Sequence, residues 1–404
     1  MSHIYSKIIG ASFIVAGTAM GAGMLALPLV MYPIGLLLGA LLLLLTYCAA
    51  TYSALLILEV NLQLGKEYNF FTSVGQVLGK APQIITHVMF LGMLYTLIAA
   101  YLASGSQMLA LHYSSLFEYR VSDVFFVFLF LALFGVLSIL GTQITDRASR
   151  FFFVIKIAIF LWLLALLVPY IHLDYQTLLP AKRIQNQSWL YTVQALPVIV
   201  TSFGFHVSIP SLIRYLNADI KGLVRVMVIG AAIPLVFYLT WLFMTVGVMH
   251  LDINNISHLD LEGWFYAMYQ RVHSPWLSFL LRVFSDSALI TSFIGVSMGL
   301  YDYWDHLISK NIQLMKIRRY VIGGAIFIPP LAWVVLLTSN FTVILSFAAI
   351  PLVVLTVFLP IAMFYKLYRE RYTSKFLKMN AMAQFNLLLF GLVVCIVQLY
   401  FVSI

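Results

Sequence analysis

The fold class that the sequence predicts is an all-α polytopic membrane protein. The chain of 404 residues is 63% apolar and only 9% charged, whereas soluble proteins are about one quarter charged. Apolar stretches of about 20 residues, long enough to cross a bilayer as helices, recur from one end to the other. Basic residues cluster on one side of these stretches, as expected for a membrane protein with a fixed orientation.

Eleven segments have the length and hydropathy of a membrane span. In chain order, spans 1 to 11 are predicted at about 8–31, 34–60, 83–111, 122–142, 151–171, 190–214, 224–250, 276–301, 320–338, 341–365 and 383–403. Span 1 is too long for a signal-peptide core and lacks a cleavage pattern, so we expect it in the mature protein. The connecting loops are too short for a soluble domain, so residues 1–404 are expected to form a single membrane domain.

The net charge of +9 reflects topology rather than affinity for nucleic acid. With the N-terminus in the cytoplasm, eighteen of the 23 Lys and Arg residues fall on the inner side, four outside, and Arg282 within a span. Cytoplasmic loops carry such an excess of basic residues. We therefore expect a cytoplasmic N-terminus, a periplasmic C-terminus, the lipid bilayer as the surroundings, and no nucleic-acid partner.

Spans 1 and 6 differ from the plain apolar spans because glycines lie near their middles. Span 1 contains GTAMGAGMLALP (17–28), and span 6 contains TSFGFHVSIPS (201–211). Gly and Pro weaken a helix interior, and a broken helix persists within a membrane only where it is buried or lines a cavity. The alternative is that these glycines only allow helices to pack closely.

The two unusual spans occupy corresponding positions if two halves of five spans repeat, about 7–171 and 190–365, followed by an extra helix at 383–403. Because five is odd, the second half is inverted. Interrupted segments at corresponding positions indicate a transporter's midplane site. The N-terminal end of a half-helix attracts anions and the C-terminal end attracts cations, which matches an amino acid's carboxylate and ammonium.

Three motifs are distinctive: VAGTAMGAGMLALPL in span 1, LPVIVTSFGFHVSIPS in span 6 and SFIGVSMGLYDY (292–303) in span 8. They resemble the hydroxy and aromatic amino acid permease family of the amino acid–polyamine–organocation superfamily, most closely its bacterial tyrosine-specific transporters. The resemblance implies the leucine-transporter fold: a 5+5 inverted repeat plus an eleventh transmembrane helix, with spans 1 and 6 discontinuous. It also implies proton symport of an aromatic L-amino acid, foremost tyrosine, across the bacterial inner membrane by alternating access.

The resemblance further implies a substrate site between the interrupted parts of spans 1 and 6, walled by spans 3 and 8. The backbone of Gly21, Ala22 and Gly23 would hold the carboxylate. Carbonyls around Thr18 and Ala19, and those of Ser202 and Phe203, would accept hydrogen bonds from the ammonium. The other positions expected at the substrate are Tyr95, Gly204, Phe205, His206, Asp286 and Phe293.

Ionisable residues inside a membrane are costly and therefore candidates for function. Asp286, in span 8, could carry a proton, face the substrate's ammonium or hydroxyl, or pair with Arg282. His206 could relay a proton, bond a tyrosine hydroxyl, or bond a free carbonyl. A site that selects tyrosine must bond its hydroxyl, and Gln107 and Gln194 are further candidates for that role.

Lys156 lies in span 5, about a turn and a half inside the predicted cytoplasmic edge at Arg150. It could snorkel to the interface. Alternatively, as in some proton-coupled transporters of the implied fold, a buried amine would replace the second sodium ion of sodium-driven relatives. Burial disfavours the charged amine, so its protonation could alternate with conformation. Its partners would then be carbonyls of span 1 and the hydroxyls of Thr291 and Ser292.

Other function classes lack their signatures in this sequence. An enzyme would need a nucleophile–base pair or paired carboxylates at one depth, and only one acid lies well inside a span. No Walker loop, metal-spaced histidines or selectivity filter occurs, so no catalytic residue, cofactor or metal is expected. Uptake of tryptophan, phenylalanine or a small hydroxy amino acid, sodium coupling, and a receptor role stay open.

Overall fold

The computed structural model describes the chain except residues 1, 22, 66–68, 118, 120, 140–141, 174, 180–187, 250–259, 309–314, 338–339, 371–372 and 403–404. Within the described residues, every regular element is a helix. Nine helices there are long and apolar enough to cross a membrane, and span 1 adds a tenth as a bent pair. Seven of the nine are continuous, namely Leu36–Leu64, Lys80–Leu116, Thr142–Leu167, Ile220–Val248, Pro275–Ile308, Met315–Leu337 and Ala381–Val402.

Both interruptions predicted from glycine and proline are present. Span 1 consists of helices Ser2–Ala19 and Gly23–Met31, and the chain bends by 58° at the break. Span 6 consists of helix Ser188–Thr201, the 3₁₀ turn His206–Ser208 and helix Ile209–Tyr215. These segments lack the side-chain bulk or the backbone N–H that would favour a continuous helix.

Two further spans are irregular in ways that the sequence analysis did not predict. Span 4 is a short apolar helix, Asp123–Phe130, that continues through a π-helical turn to Ile139. Span 10 passes through helices Phe341–Ser346 and Ala349–Val353, the π-helical turn Val354–Phe358, and helix Leu359–Arg369. Pro360 cannot donate to the carbonyl of Thr356, and the hydroxyl of Ser53 donates to that carbonyl instead.

The chain divides into two compact units assembled from interleaved segments. The first unit contains residues Met1–Gly92, Leu178–Phe243 and Ser346–Ile404, and the second contains Met93–Thr177 and Met244–Leu345. The first unit therefore holds spans 1, 2, 6 and 11, with most of spans 7 and 10. The second holds spans 4, 5, 8 and 9, with most of span 3.

A buried carboxylate joins span 2 to the loop between spans 10 and 11 within the first unit. Glu59 is completely buried, and it accepts hydrogen bonds from the backbone N–H groups of Lys375 at 2.6 Å, Phe376 at 3.1 Å and Leu377 at 3.2 Å. The side-chain amide of Gln63 donates to the same carboxylate at 2.8 Å. These four donors compensate the cost of burying the charge.

Three short helices lie outside the predicted spans: Phe70–Leu78, Tyr175–Leu178 and Leu261–Val272. Asn69 and Thr72 form a capping box at the start of the first, and Asp260 caps the third by accepting from the N–H of Gly263 at 2.8 Å. Such side chains satisfy N–H groups that a helix leaves unpaired at its first turn. The caps therefore define where the first and third of these helices begin.

Candidate substrate site at the interrupted spans

The break in span 1 leaves a buried helix end at Ala19. The N–H of Met20 still bonds the carbonyl of Ala16 at 2.8 Å, but the N–H of Gly21 turns back to the carbonyl of Ala19 at 2.7 Å. The second helix begins at Gly23, and the first N–H groups of a helix have no acceptor within it. Ala22, one of the three expected carboxylate ligands, lies outside the described residues.

The break in span 6 replaces regular helix hydrogen bonds with short turns. The N–H of Phe203 bonds the carbonyl of Val200 at 3.1 Å, and the N–H of Phe205 bonds the carbonyl of Phe203 at 3.0 Å. The hydroxyl of Ser202 donates to the carbonyl of Val198 at 2.9 Å. The helix thus ends with a loosened turn around Gly204, as the sequence predicts.

The two breaks meet within the first unit. Helix Ser188–Thr201 packs against helix Gly23–Met31, and helix Ser2–Ala19 contacts the turn His206–Ser208. A Cβ atom built on Gly23 would lie 2.6 Å from the Ser202 hydroxyl oxygen and 3.3 Å from its Cα. A larger residue at position 23 would therefore require the Ser202 hydroxyl to turn away and the backbone of span 6 to give by a few tenths of an ångström.

Tyr238, on span 7, links the same two breaks. Its hydroxyl lies 2.7 Å from the carbonyl oxygen of Ala19 and 2.8 Å from that of Ser202. The side chain is completely buried, and its ring packs edge-on against Phe203 at 5.4 Å between centroids. The sequence analysis missed Tyr238 because span 7 reads as an ordinary apolar helix, in which one tyrosine among 23 carries no signal.

His206 bonds a backbone carbonyl, which was one of its three predicted roles. Its Nε2 lies 3.0 Å from the carbonyl oxygen of Ala50, and its ring stacks on Phe205 at 4.6 Å. Nδ1 is buried and has no hydrogen-bond partner among the described residues. A small, mostly apolar cavity beside it is lined by Thr46, Ser53, Phe203, His206, Leu352 and Thr356, among others.

The predicted aromatic residues of the second unit take part in packing. The hydroxyl of Tyr95 donates to the carbonyl of Ala325 at 2.8 Å and accepts from the indole N–H of Trp304 at 3.2 Å. Phe293 is completely buried, packing edge-on against Phe130 at 5.2 Å and stacking with Phe327 at 5.9 Å. Both side chains thus connect helices of the second unit, and in this structure their contacts are with other side chains and a backbone carbonyl.

Asp286 pairs with a residue that the sequence analysis did not name. Its Oδ2 lies 2.7 Å from Nε2 of His112, near the end of helix Lys80–Leu116. Both side chains are about one third exposed. Arg282, the partner considered from the sequence, lies near enough to interact electrostatically with His112. His112 was missed because it falls one residue beyond predicted span 3.

Lys156 is buried in the second unit, with 3% of its surface exposed. Its ammonium lies 4.9 Å from the centre of the Phe153 ring, within cation–π distance. The hydroxyl of Thr291 donates to carbonyls of Ser287 and Ala288 at 2.8 and 3.1 Å, and that of Ser292 donates to the Ala288 carbonyl at 2.7 Å. The oxygen atoms of both hydroxyls keep lone pairs for another donor.

Comparisons with known proteins agree with the resemblance found in the sequence. The profile of the tryptophan/tyrosine permease family matches residues 5–399. Tyrosine-specific transport system 1 of Haemophilus influenzae is 32% identical, over 90% of this chain and 89% of its own. Glutamine transporter 2 of Aliivibrio fischeri is also 32% identical, over 88% of each chain.

A tryptophan-specific transport protein of Haemophilus influenzae is 29% identical over 97% of this chain and 96% of its own. The match thus extends through the interrupted spans, and the relatives are transport proteins rather than enzymes. The chain belongs to the tryptophan/tyrosine permease family.

Proposed function

We propose that the chain is a secondary active transporter that takes up an aromatic L-amino acid, foremost tyrosine, together with protons. The observation that carries this proposal is the meeting of two interrupted spans in one buried place. There, the start of helix Gly23–Met31 packs against Ser202 at the end of helix Ser188–Thr201, and Tyr238 bonds the carbonyls of Ala19 and Ser202. Membership of a permease family supports the same conclusion.

The substrate's main-chain groups match the polarity of the two breaks. The carboxylate would bind at the N-terminal end of helix Gly23–Met31, at Gly21, Ala22 and Gly23, where the helix dipole favours a negative charge. The ammonium would bind the carbonyls of Ala19 and Ser202, at the C-terminal ends of two half-helices, together with those near Thr18 and Phe203. This part of the site would accept any α-amino acid.

The placement of four of the five span pairs in the two units supports a repeat of five spans and, through the family resemblance, the leucine-transporter fold; spans 5 and 10 fall in different units. Spans 1 and 2 of the first half and spans 6 and 7 of the second fall wholly or mostly in the first unit. Spans 3 and 4, and likewise spans 8 and 9, fall wholly or mostly in the second. We extend the proposal to alternating access in a bacterial inner membrane, with the N-terminus cytoplasmic and the C-terminus periplasmic.

Tyrosine is the substrate to test first, with tryptophan, phenylalanine and glutamine as competitors. The printed names of similar relatives include tyrosine, tryptophan and glutamine transporters. Phe203 and Phe205, at the break of span 6, are buried, so a ring pocket beside them would have to form as the substrate enters. Contacts between aromatic rings would add to the binding free energy of an aromatic substrate in such a pocket. The side chain of glutamine would instead need hydrogen-bond partners there.

Lys156 supports coupling to protons. Its amine is buried within span 5 beside the Phe153 ring, and an amine binds or releases a single proton. Asp286 and His112 form the second group in the same unit that could exchange a proton, through the contact at 2.7 Å. Sodium coupling would instead require a cation site.

The test is uptake of labelled tyrosine by purified protein in proteoliposomes, with an imposed pH gradient or an imposed sodium gradient. We expect accumulation with the pH gradient in sodium-free buffer. Accumulation that requires sodium would overturn proton coupling. Competition by each of the twenty amino acids then defines specificity: strongest inhibition by glutamine would contradict an aromatic substrate, and strongest inhibition by tryptophan would replace tyrosine.

A further inference from the structure

We propose that Tyr238 is a positioning residue for the substrate's ammonium: its hydroxyl holds the Ala19 and Ser202 carbonyls together and yields one of them when an amino acid binds. This inference rests on the proposed function, since it assumes that an amino acid binds at the two breaks. The observation behind it is the pair of contacts at 2.7 and 2.8 Å from one buried hydroxyl to two helix-end carbonyls.

The first step of the argument is the count of protons and lone pairs. A tyrosine hydroxyl has one proton to donate, and each carbonyl oxygen has two lone pairs to accept with. The carbonyl of Ala19 already receives the N–H of Gly21 at 2.7 Å as well as the hydroxyl. The hydroxyl therefore cannot satisfy both carbonyls fully at one time, and the pair has room for a further donor.

The second step concerns what that donor is. Both carbonyls end a half-helix, where the helix dipole favours a positive charge, and the site is buried. An ammonium has three protons and can bond two oxygens that are already brought together by a shared partner. When it arrives, the single Tyr238 proton can settle on the Ser202 carbonyl, and the lone pair that this releases on the Ala19 carbonyl accepts from the ammonium.

The third step is the rigidity of the hydroxyl's position. Tyr238 is fully buried, its ring is held against Phe203, and helix Ile220–Val248 carries it. The hydroxyl is thus carried by the unbroken helix of span 7, and its ring also packs on Phe203 of span 6. Its effect would be to set the spacing of two carbonyls that the loosened turns alone would leave variable.

The experiment removes the hydroxyl and varies the ligand. Tyr238→Phe keeps the ring and removes the hydroxyl. Tyr47→Phe is the matched control, because the Tyr47 hydroxyl likewise donates to a backbone carbonyl, that of Val228 at 3.3 Å, away from the two breaks. Binding of labelled L-tyrosine to each purified variant is measured with 3-(4-hydroxyphenyl)propionate, which lacks the amino group, as the comparison ligand.

We expect Tyr238→Phe to weaken tyrosine binding about tenfold, the effect of losing one hydrogen bond, and to leave the affinity for the amine-free acid within twofold. In uptake assays KM should rise, with kcat within twofold. Equal losses for both ligands, a fall in kcat at unchanged KM, or no loss at all would each overturn the proposal. Failure of the wild-type protein to bind tyrosine would instead contradict the proposed function.

Discussion

Gly23 is the residue at which the two interrupted spans come closest. Because a Cβ atom there would lie 2.6 Å from the Ser202 hydroxyl oxygen, we expect Gly23→Ala to push the spans apart. Overpacking of this kind costs about 1–3 kcal/mol, so tyrosine should bind about tenfold more weakly or worse. Gly23→Leu should abolish binding while leaving membrane insertion intact. Binding to purified protein measures the first effect, and membrane yield measures the second.

The control for this prediction is Gly17→Ala in the same span, since a Cβ there meets nothing within 4 Å. It should bind tyrosine like the wild type. The double variant Gly23→Ala with Ser202→Gly removes the hydroxyl and leaves only the contact with Cα at 3.3 Å, so it should recover part of the affinity. A Gly23→Ala protein that binds normally would contradict a substrate site where the breaks meet.

For individual residues, the sequence predicted where the backbone of spans 1 and 6 is interrupted, but not which side chains from other helices bond there. Glycine and proline leave a signal in sequence because few other residues suit a broken helix. Tyr238 and His112 leave none, because their roles depend on which helix packs beside them. His206 shows an intermediate case: its position was predicted, while its partner, the carbonyl of Ala50, required the structure.

Among the helical elements, the loop between spans 10 and 11 depends on Glu59 in span 2. We expect Glu59→Gln to lower the free energy of unfolding by about 2–4 kcal/mol, because one amide oxygen cannot replace a carboxylate that accepts from three backbone N–H groups. The amide's own NH₂ would also face one of those donors. Thermal unfolding of the detergent-purified protein measures the loss.

Glu370→Gln serves as the control, since Glu370 is an exposed glutamate at the end of the helix Leu359–Arg369. Its unfolding temperature should stay at the wild-type value. If Glu59→Gln is equally stable, the carboxylate is not what holds the loop to span 2, and its hydrogen bonds are replaceable by those of a neutral side chain.

The elements show clearly what hydropathy can and cannot predict. It located apolar segments, since nine long helices and the bent span 1 coincide with predicted spans. It did not predict the break in span 10 or the π-helical turns. In span 10 the π-helical turn adjoins Pro360, and Ser53 of span 2 donates to the Thr356 carbonyl that Pro360 leaves unbonded. The π-helical turn of span 4, Leu131–Gly135, contains no proline. Short amphipathic helices outside the spans were missed because each lacks a long apolar run.

For the whole molecule, the question is how transport is coupled to an ion. We expect Lys156→Ala to abolish accumulation of tyrosine driven by a pH gradient, because the buried amine that would exchange the proton is gone. Exchange of internal for external tyrosine, which needs no net proton movement, should continue. Proteoliposomes loaded with unlabelled tyrosine measure both activities in one preparation.

Lys221→Ala is the matched control, since Lys221 is an exposed lysine at the start of span 7, and it should accumulate tyrosine normally. If Lys156→Ala still accumulates tyrosine with a pH gradient, the coupling role passes to the pair of Asp286 and His112. If exchange is lost as well, Lys156 supports the fold rather than the coupling.

The interleaving of the two units is a property that no single motif displays. The sequence predicted two halves in chain order, whereas the compact units each take spans from both halves. Which spans cluster depends on contacts between distant segments, and such contacts leave no periodic pattern in a single sequence. The correspondence of interrupted spans 1 and 6 was the one long-range relation that composition alone could indicate.

The close approach of Gly23 to Ser202 has a mechanical consequence. Helices Gly23–Met31 and Ser188–Thr201 pack closely because residue 23 has no side chain between them. We expect these two helices to move together, as one rigid part of a hinge. Helix Ser2–Ala19 contacts the turn His206–Ser208, and we expect these two elements to move together as the second part of the hinge. The two breaks would then bend about the same point. A ligand bound there would contact both breaks, so its binding would change the bend angles of spans 1 and 6 together.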